Sequence, residues 1–284
     1  MNYKIDNFDT NGFAYPFKLS ENFEPEKLQE EYYNFQSKCK DFLNYNVSLK
    51  PNLLSTFFDK LAFDKNVISA VKKIIGDDVY IWSSAFFPKE AGEGKIVSFH
   101  QDNPYWQLTS NNVVSAWIAL TKSDEESGAL SVVPGSHRNG IIKKIDVKNA
   151  RASYLKGEKT TSEKDLLSYS QNLDDYIKVN SPKCLELQPG EFSIHHVNTV
   201  HGSGINKSLQ PRIGFAVRYV SSDTKHLIEK KGDSAIHVCG KKNSYFSDEI
   251  RPSESFSRKS IINHEKAMKA AGAFGNKKYV FDKK

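Results

Sequence analysis

In three stretches of the first 75 residues, apolar positions recur every three or four residues. That spacing stacks them on one face of a helix and predicts helices over Pro25–Lys38, Leu53–Leu61 and Asn66–Ile75. Pro25 suits a first helical position because its φ is fixed and its missing N–H would have no partner there. Glu26, Glu30 and Glu31 follow, putting acid near the positive end, and Gly76 supplies a stop for the last of the three.

After Asp77 the pattern changes. Val79–Phe87 (VYIWSSAFF) is β-branched and aromatic, and Ile96–Phe99, Val113–Leu120 and Leu130–Val133 read as further short strands, the last ended by Pro134-Gly135. Strands resume at Cys184–Leu187, Glu191–His196 and Ile213–Tyr219, with Pro189-Gly190 between the first two. Asn149–Lys178 is polar and reads as an inserted helical or irregular excursion, and Arg258–Ala271 as a surface helix. Helices first, then many short strands without a strand–helix rhythm, argue against a doubly wound parallel sheet. They predict a mainly β chain with flanking helices, an antiparallel sandwich or jelly roll. One domain is expected, with a helical part over about 1–76, a core over about 77–222, and an extension with a helix over about 223–284.

Composition narrows the class. With 18 Phe and 13 Tyr the chain has ample bulky material for a core, which excludes global disorder. Three cysteines, Cys39, Cys184 and Cys239, lack C-x-x-C spacing, so neither a disulfide framework nor a thiolate zinc knuckle is available. The net charge of +6 comes from scattered lysines, which suits a solvated surface better than a nucleic-acid interface. No apolar run reaches the ~20 residues of a membrane helix, and residues 1–6 have no secretory character. The expectation is a soluble, cytoplasmic protein acting on a small molecule without nucleic-acid or membrane partners; its oligomeric state is open.

The chemistry starts at His100-Gln101-Asp102, after the strand Ile96–Phe99. Residues two apart on an extended chain share a face, so an imidazole and a carboxylate there can grip one metal ion. A second histidine would complete a 2-His-1-carboxylate face, which leaves coordination positions open and suits non-haem Fe(II). His195, His196 and His201 are the candidates. Arg212 opens the next strand, where its fork can hold a carboxylate bidentately beside a metal.

With these residues in place, the chain resembles the phytanoyl-CoA dioxygenase family. The resemblance rests on His100-Gln101-Asp102, Trp117-Ile118-Ala119-Leu120, Gly128-Ala129-Leu130, Val133-Pro134-Gly135-Ser136-His137, Leu187-Gln188-Pro189-Gly190-Glu191, His201-Gly202-Ser203 with Asn206, and the Arg212 strand. It covers roughly residues 75–220, with the motifs in order. It implies a cupin-like double-stranded β-helix and an Fe(II)- and 2-oxoglutarate-dependent oxygenase. His100, Asp102 and His201 would be the iron ligands, the Gly-Ser context and the Arg212 spacing favouring His201 over His195 and His196. Arg212 would hold the distal carboxylate of 2-oxoglutarate, helped by Ser203 and, if it reaches the site, Lys89. The cosubstrate's keto and C1-carboxylate oxygens would chelate the iron, O2 would be consumed, and succinate, CO2 and a hydroxylated product released. Halogenating relatives carry a small residue in place of the carboxylate; with Asp102 intact, hydroxylation is expected.

Asn103-Pro104 stands where relatives with this motif commonly have Leu-Thr, so Asn103 joins Tyr105, Trp106 and Arg218 as candidates for substrate contact. His137 reads as structural, and His226 and His237 as lacking a constellation. The expected substrate is a small polar, anionic metabolite: an organophosphonate such as 2-aminoethylphosphonate, a betaine or an amino acid. Two other readings stay open: a zinc hydrolase or isomerase using the same ligands, and a catalytically silent jelly-roll binding protein.

Overall fold

The computed structural model describes residues 4–43, 47–146, 161–167, 170–226, 233–242 and 245–271. Its strands are β1 (Phe13–Lys18), β2 (Val79–Lys89), β3 (Val97–His100), β4 (Val113–Ala119), β5 (Ser131–Val132), β6 (Lys183–Cys184), β7 (Glu191–His196), β8 (His201–Ser203), β9 (Arg212–Ser221), β10 (Ser234–Cys239) and β11 (Ser247–Asp248). They form a seven-stranded sheet in the order β1-β7-β4-β9-β2-β10-β11 and a four-stranded sheet in the order β3-β8-β5-β6. Every pairing is antiparallel except that of β10 with β11. This is the expected jelly roll with flanking helices, its two sheets not closed into a barrel.

Strand alternation gives the large sheet two different faces. Val114, Ala116 and Ile118 of β4, Phe192 and Ile194 of β7, and Ile213, Phe215, Val217 and Tyr219 of β9 all join one apolar cluster. The helices α2 (Leu28–Leu43), α3 (Thr56–Ala62) and α4 (Lys65–Ile75) cover that face, burying Leu28, Phe35, Phe58, Leu61, Val67 and Val71 in the same cluster. Phe58 sits at its centre, with ring centroids 4.7 Å from Phe86, 5.4 Å from Phe35 and 5.4 Å from Phe215. The alternate residues, including Ser115, Trp117, His195, Arg212 and Arg218, face the small sheet across a cavity.

Several elements differ from the sequence expectation. The first 75 residues are not wholly helical: Phe13–Lys18 pairs with β7 at the edge of the large sheet. Pro25–Lys27 is a 3-10 turn in front of α2, which runs past Lys38 to Leu43 because Cys39 and Leu43 continue its buried stripe. Three strands of the large sheet, β1, β10 and β11, come from outside residues 77–222. Of the Asn149–Lys178 excursion, residues 149–160 and 168–169 lie outside the described residues. Its described part pairs Asp165 with Ile96 and continues into α6 (Asp174–Val179), α5 being the single turn Asn103–Trp106. The last helix, α7 (Arg258–Ala270), buries Ser260, Ile261, His264 and Ala267, so one face belongs to the core. Among the described residues no helix is long and apolar enough to cross a membrane.

Candidate metal and anion site

His100 closes β3 and His201 opens β8, and the two are register partners across the small sheet, with ring centroids 4.2 Å apart. Asp102 arrives differently from the strand-face expectation. It has left β3 for αR geometry (φ −70°, ψ −41°) at the head of α5 (Asn103–Trp106), where its N–H donates to the Val197 carbonyl at 3.0 Å. The turn, not strand alternation, swings its carboxylate back to 3.5 Å from His100 Nε2 and 3.9 Å from His201 Nε2. One ligand atom from each of the three lies within 4.8 Å of the others, and all three residues are buried.

The ring orientations follow from the backbone. His100 Nδ1 is 2.8 Å from the Ser98 carbonyl and His201 Nδ1 is 2.9 Å from the Thr199 carbonyl. A carbonyl only accepts, so each Nδ1 carries a proton and each Nε2 is turned toward Asp102. Burial, then His100 and His195, pushes His201 well below the usual imidazole range. Asp102 moves well below the ordinary carboxylate range because His201, His100 and His195 together outweigh its burial. Two imidazole Nε2 atoms around a carboxylate form a donor set that suits a divalent cation, which would displace any proton they hold.

At the other end of the cavity Arg212 lines the wall and Lys89 is buried next to it on Ser203, without a carboxylate. Arg212 and Lys89 are register partners on β9 and β2, and both are fully buried. Arg212 donates to the Gly128 carbonyl at 2.8 Å, the Phe87 carbonyl at 3.1 Å and Ser203 Oγ at 3.4 Å, while its Nε is buried without a partner. Lys89 Nζ donates to Ser203 Oγ at 2.6 Å and to the Gly204 carbonyl. Gly128 has φ +72°, and a Cβ there would meet the Gly204 oxygen at 2.5 Å, so only glycine brings this carbonyl to Arg212. Among the described residues no carboxylate lies within ion-pair distance of either cation. Burial and then the neighbouring Arg212 push Lys89 down to about 6. Buried charge without a counter-ion is costly, so Arg212, beside a lysine that an arriving anion would recharge, marks a place for an anion.

The family profile of phytanoyl-CoA dioxygenase matches residues 10–214 of this chain. The chain belongs to the phytanoyl-CoA dioxygenase family. It is 25% identical over 178 residues to a probable alpha-ketoglutarate-dependent hypophosphite dioxygenase of Stutzerimonas stutzeri, covering 63% of this chain and 58% of that protein. It is 26% identical over 227 residues to the ectoine dioxygenase of Halomonas elongata, covering 74% and 66%. The chain thus spans less than two thirds of the length of these relatives. Among solved structures, a non-heme monooxygenase, ThoJ, superimposes with a TM-score of 0.76 at 21% identity, covering 94% of this chain and 95% of that one. CytC3 with Fe(II) and alpha-ketoglutarate does so with a TM-score of 0.61 at 18% identity, covering 90% and 97%. At those identities the likeness establishes the fold.

Within this family member the cavity has a volume of about 150 Å³ and joins the two ends just described. Tyr105, Trp106 and Arg218 line it, as the sequence suggested, and Tyr105 stands edge-on to His100 with centroids 5.5 Å apart. Asn103 is not in the lining; its Oδ1 accepts from the Leu108 N–H at 3.2 Å and ties the turn after α5. His195 does line the cavity, its Nε2 3.8 Å from Asp102 Oδ2, but it stands outside the three-residue ligand group. His196, on the opposite face of β7, accepts from the Asn198 N–H and is pushed down to about 4, by burial first. His137 Nε2 lies 3.1 Å from the Asp9 carbonyl, a structural contact.

Three features escaped the sequence reading. Trp117 lines the cavity with Arg212 over its ring at 5.4 Å. Ser115 Oγ donates to Asp102 Oδ2 at 3.4 Å. His226 has a constellation after all: it pairs with Asp233 and sits 3.2 Å from the Trp106 carbonyl, and Asp233 also accepts from Trp82 Nε1 at 2.7 Å. Period-two alternation on β4 was the signal available for Ser115 and Trp117; nothing in the spacing of 82, 226 and 233 announces the last cluster.

Proposed function

We propose that this protein is an Fe(II)- and 2-oxoglutarate-dependent dioxygenase hydroxylating an unactivated C–H of a small polar, anionic metabolite, with release of succinate and CO2. The observation that carries this reading is one cavity holding both a buried His100–Asp102–His201 donor set and the counter-ion-free Arg212, with Lys89 buried next to it on Ser203. His100 Nε2, His201 Nε2 and an Asp102 oxygen are the atoms that would hold the iron. The bound iron supplies O2 activation coupled to decarboxylation of the cosubstrate. The protein's part is to bind and orient: Arg212, Lys89 and Ser203 take the far carboxylate of 2-oxoglutarate, and the enclosing aromatic rings keep water from the reacting C–H.

Organophosphonates such as 2-aminoethylphosphonate, betaines and amino acids are the candidate substrates, and two relatives are named for hypophosphite and ectoine. A zinc hydrolase or isomerase would use the same three ligands but leaves Lys89 and Arg212 without an anion, and a silent binding protein leaves an intact donor set unexplained. Anaerobic addition of Fe(II) and 2-oxoglutarate should give a weak visible metal-to-ligand charge-transfer band. Asp102→Ala should abolish it, and Arg212→Ala should demand at least tenfold more 2-oxoglutarate to reach it. No band in metal-loaded protein would sink the reading.

A further inference from the structure

Beyond the cosubstrate site, the inner face of the large sheet carries a second cation. Ser115 of β4 is the register partner of His195 on β7 and of Arg218 on β9, so the three form a row across adjacent strands. Arg218 lies six residues from Arg212 on the same strand and the same face. The six-residue step separates the two backbones by ~20 Å at about 3.3 Å per residue. Asp102 leans over the Arg218 row, held there by Ser115, while Ser203 beside Lys89 and Arg212 is two residues from His201. The metal-ligand group therefore stands between two cationic ends of one cavity.

Arg218 is built to be held without being neutralised. Its guanidinium carbon lies over the rings of Phe87 at 5.4 Å and Trp106 at 5.6 Å, cation–π contacts that hold it in place without giving it a counter-ion. Its Nε is buried with no hydrogen-bond partner, and the row's other orphan, His195 Nδ1, is equally unpartnered. No described carboxylate lies within ion-pair distance of it; Asp102, of the metal-ligand group, acts on it only from farther away, and burial still outweighs that pull. A purely structural arginine would be expected to spend its five donors on carbonyls or acids. Trp106 is itself fixed from behind by Trp82, 5.2 Å away between ring centroids, and by His226 at its carbonyl, so the clamp is supported by packing.

We propose that Arg218 forms a second anion subsite, across the metal-ligand group from Lys89 and Arg212, that takes an oxyanion group of the substrate itself: a carboxylate, phosphonate or phosphinate. This rests on the dioxygenase reading only for which anion goes where. One carboxylate of 2-oxoglutarate is assigned to the Lys89–Arg212 end and the other to the metal, leaving Arg218 for the substrate. The reacting C–H then lies between the clamped anion and the metal-ligand group, which favours short substrates over long acyl chains.

The test is a pair of calorimetric titrations under anaerobic conditions. Protein saturated with Fe(II) and 2-oxoglutarate is titrated with methylphosphonate and with acetate, using dimethyl methylphosphonate and acetamide as neutral counterparts. The anions should bind and the neutral compounds should not. Arg218→Gln should weaken methylphosphonate at least tenfold, Arg218→Lys should recover part of the loss, and 2-oxoglutarate affinity should change less than twofold in both. Unaltered anion binding in Arg218→Gln, or no anion binding by the wild type, would overturn the proposal. So would a parallel loss of Fe(II) affinity, which would make Arg218 a positioning residue for Asp102. Should the wild type fail to bind 2-oxoglutarate, the dioxygenase reading falls, and the same comparison without Fe(II) or 2-oxoglutarate still decides the subsite.

Discussion

Lys89 is buried beside the cavity, its Nζ on Ser203 Oγ, as a base its surroundings discharge. Burial first and Arg212 second push it to about 6, against an ordinary lysine near 10.5. In the empty cavity at pH 7.5 it is therefore mostly neutral, and an arriving carboxylate pulls its affinity for a proton back up. Binding of 2-oxoglutarate should take up close to one proton, and affinity should fall as pH rises from 6 to 8. Titration calorimetry in buffers of different ionisation enthalpy measures the uptake directly; no uptake would mean that Lys89 does not meet the cosubstrate. The same shift has a stability sign. Between about 6 and 10 the unfolded chain holds a proton the folded one has lost, so stability rises with pH across that window and the burial penalty is fully present below 6. Lys89→Met should raise the melting temperature of the ligand-free protein most below pH 6, less toward pH 10, while weakening 2-oxoglutarate. A uniform gain at all pH values would contradict the assignment.

At the scale of elements, β9 and β4 set the position of Arg212 through one absent side chain. A Cβ on Gly214 would lie 2.0 Å from Trp117 Cζ2, in the ring that lies under Arg212. The indole has a packed neighbourhood and cannot give way cheaply, so Gly214→Ala should cost about 1–3 kcal/mol of stability. It should also weaken 2-oxoglutarate severalfold by moving Trp117; denaturant unfolding and a cosubstrate titration read the two effects, and a variant unchanged in both would refute the argument. These same strands show what the sequence could announce. β2, β4, β7 and β9 were legible because they are long, β-branched and bounded by turns. β8 is three residues, too short for periodicity, yet it carries His201 and Ser203. β1 reads as an aromatic stretch with a proline, and only pairing with β7 makes it a strand. For the candidate site, motif and order single out His100, Asp102, His201 and Arg212. Asp102 was placed on a strand face, where the α5 turn does the work, and Asn103 was judged by chain proximity to the motif while its side chain turns to the Leu108 backbone. Three-dimensional neighbours such as His195 and Ser115 depend on cross-strand register, which no local pattern encodes.

For the molecule as a whole, the site joins two sheets that otherwise meet across a cavity. His100, His201 and Ser203 come from the small sheet, Lys89 and Arg212 from the large one, and Asp102 from a turn anchored on Val197 beyond β7. A metal ion and 2-oxoglutarate bound together would cross-brace the pair and shift the folding equilibrium by mass action. Each ligand at 100 times its Kd adds about 2.7 kcal/mol. At roughly 2–4 °C per kcal/mol in a chain approaching this size, that is a rise on the order of 5–10 °C. Anaerobic thermal unfolding with Mn(II) as a redox-inert stand-in, with 2-oxoglutarate, and with both should show separate increments that chelator reverses. The three-ligand set and the cation pair predict different losses. Asp102→Ala should lose the metal increment and most of the 2-oxoglutarate increment that depends on it. Arg212→Ala should keep the first and lose the second. Should Arg212→Ala retain the full combined rise, the carboxylate of 2-oxoglutarate is held elsewhere, and the two sheets are braced through the metal alone.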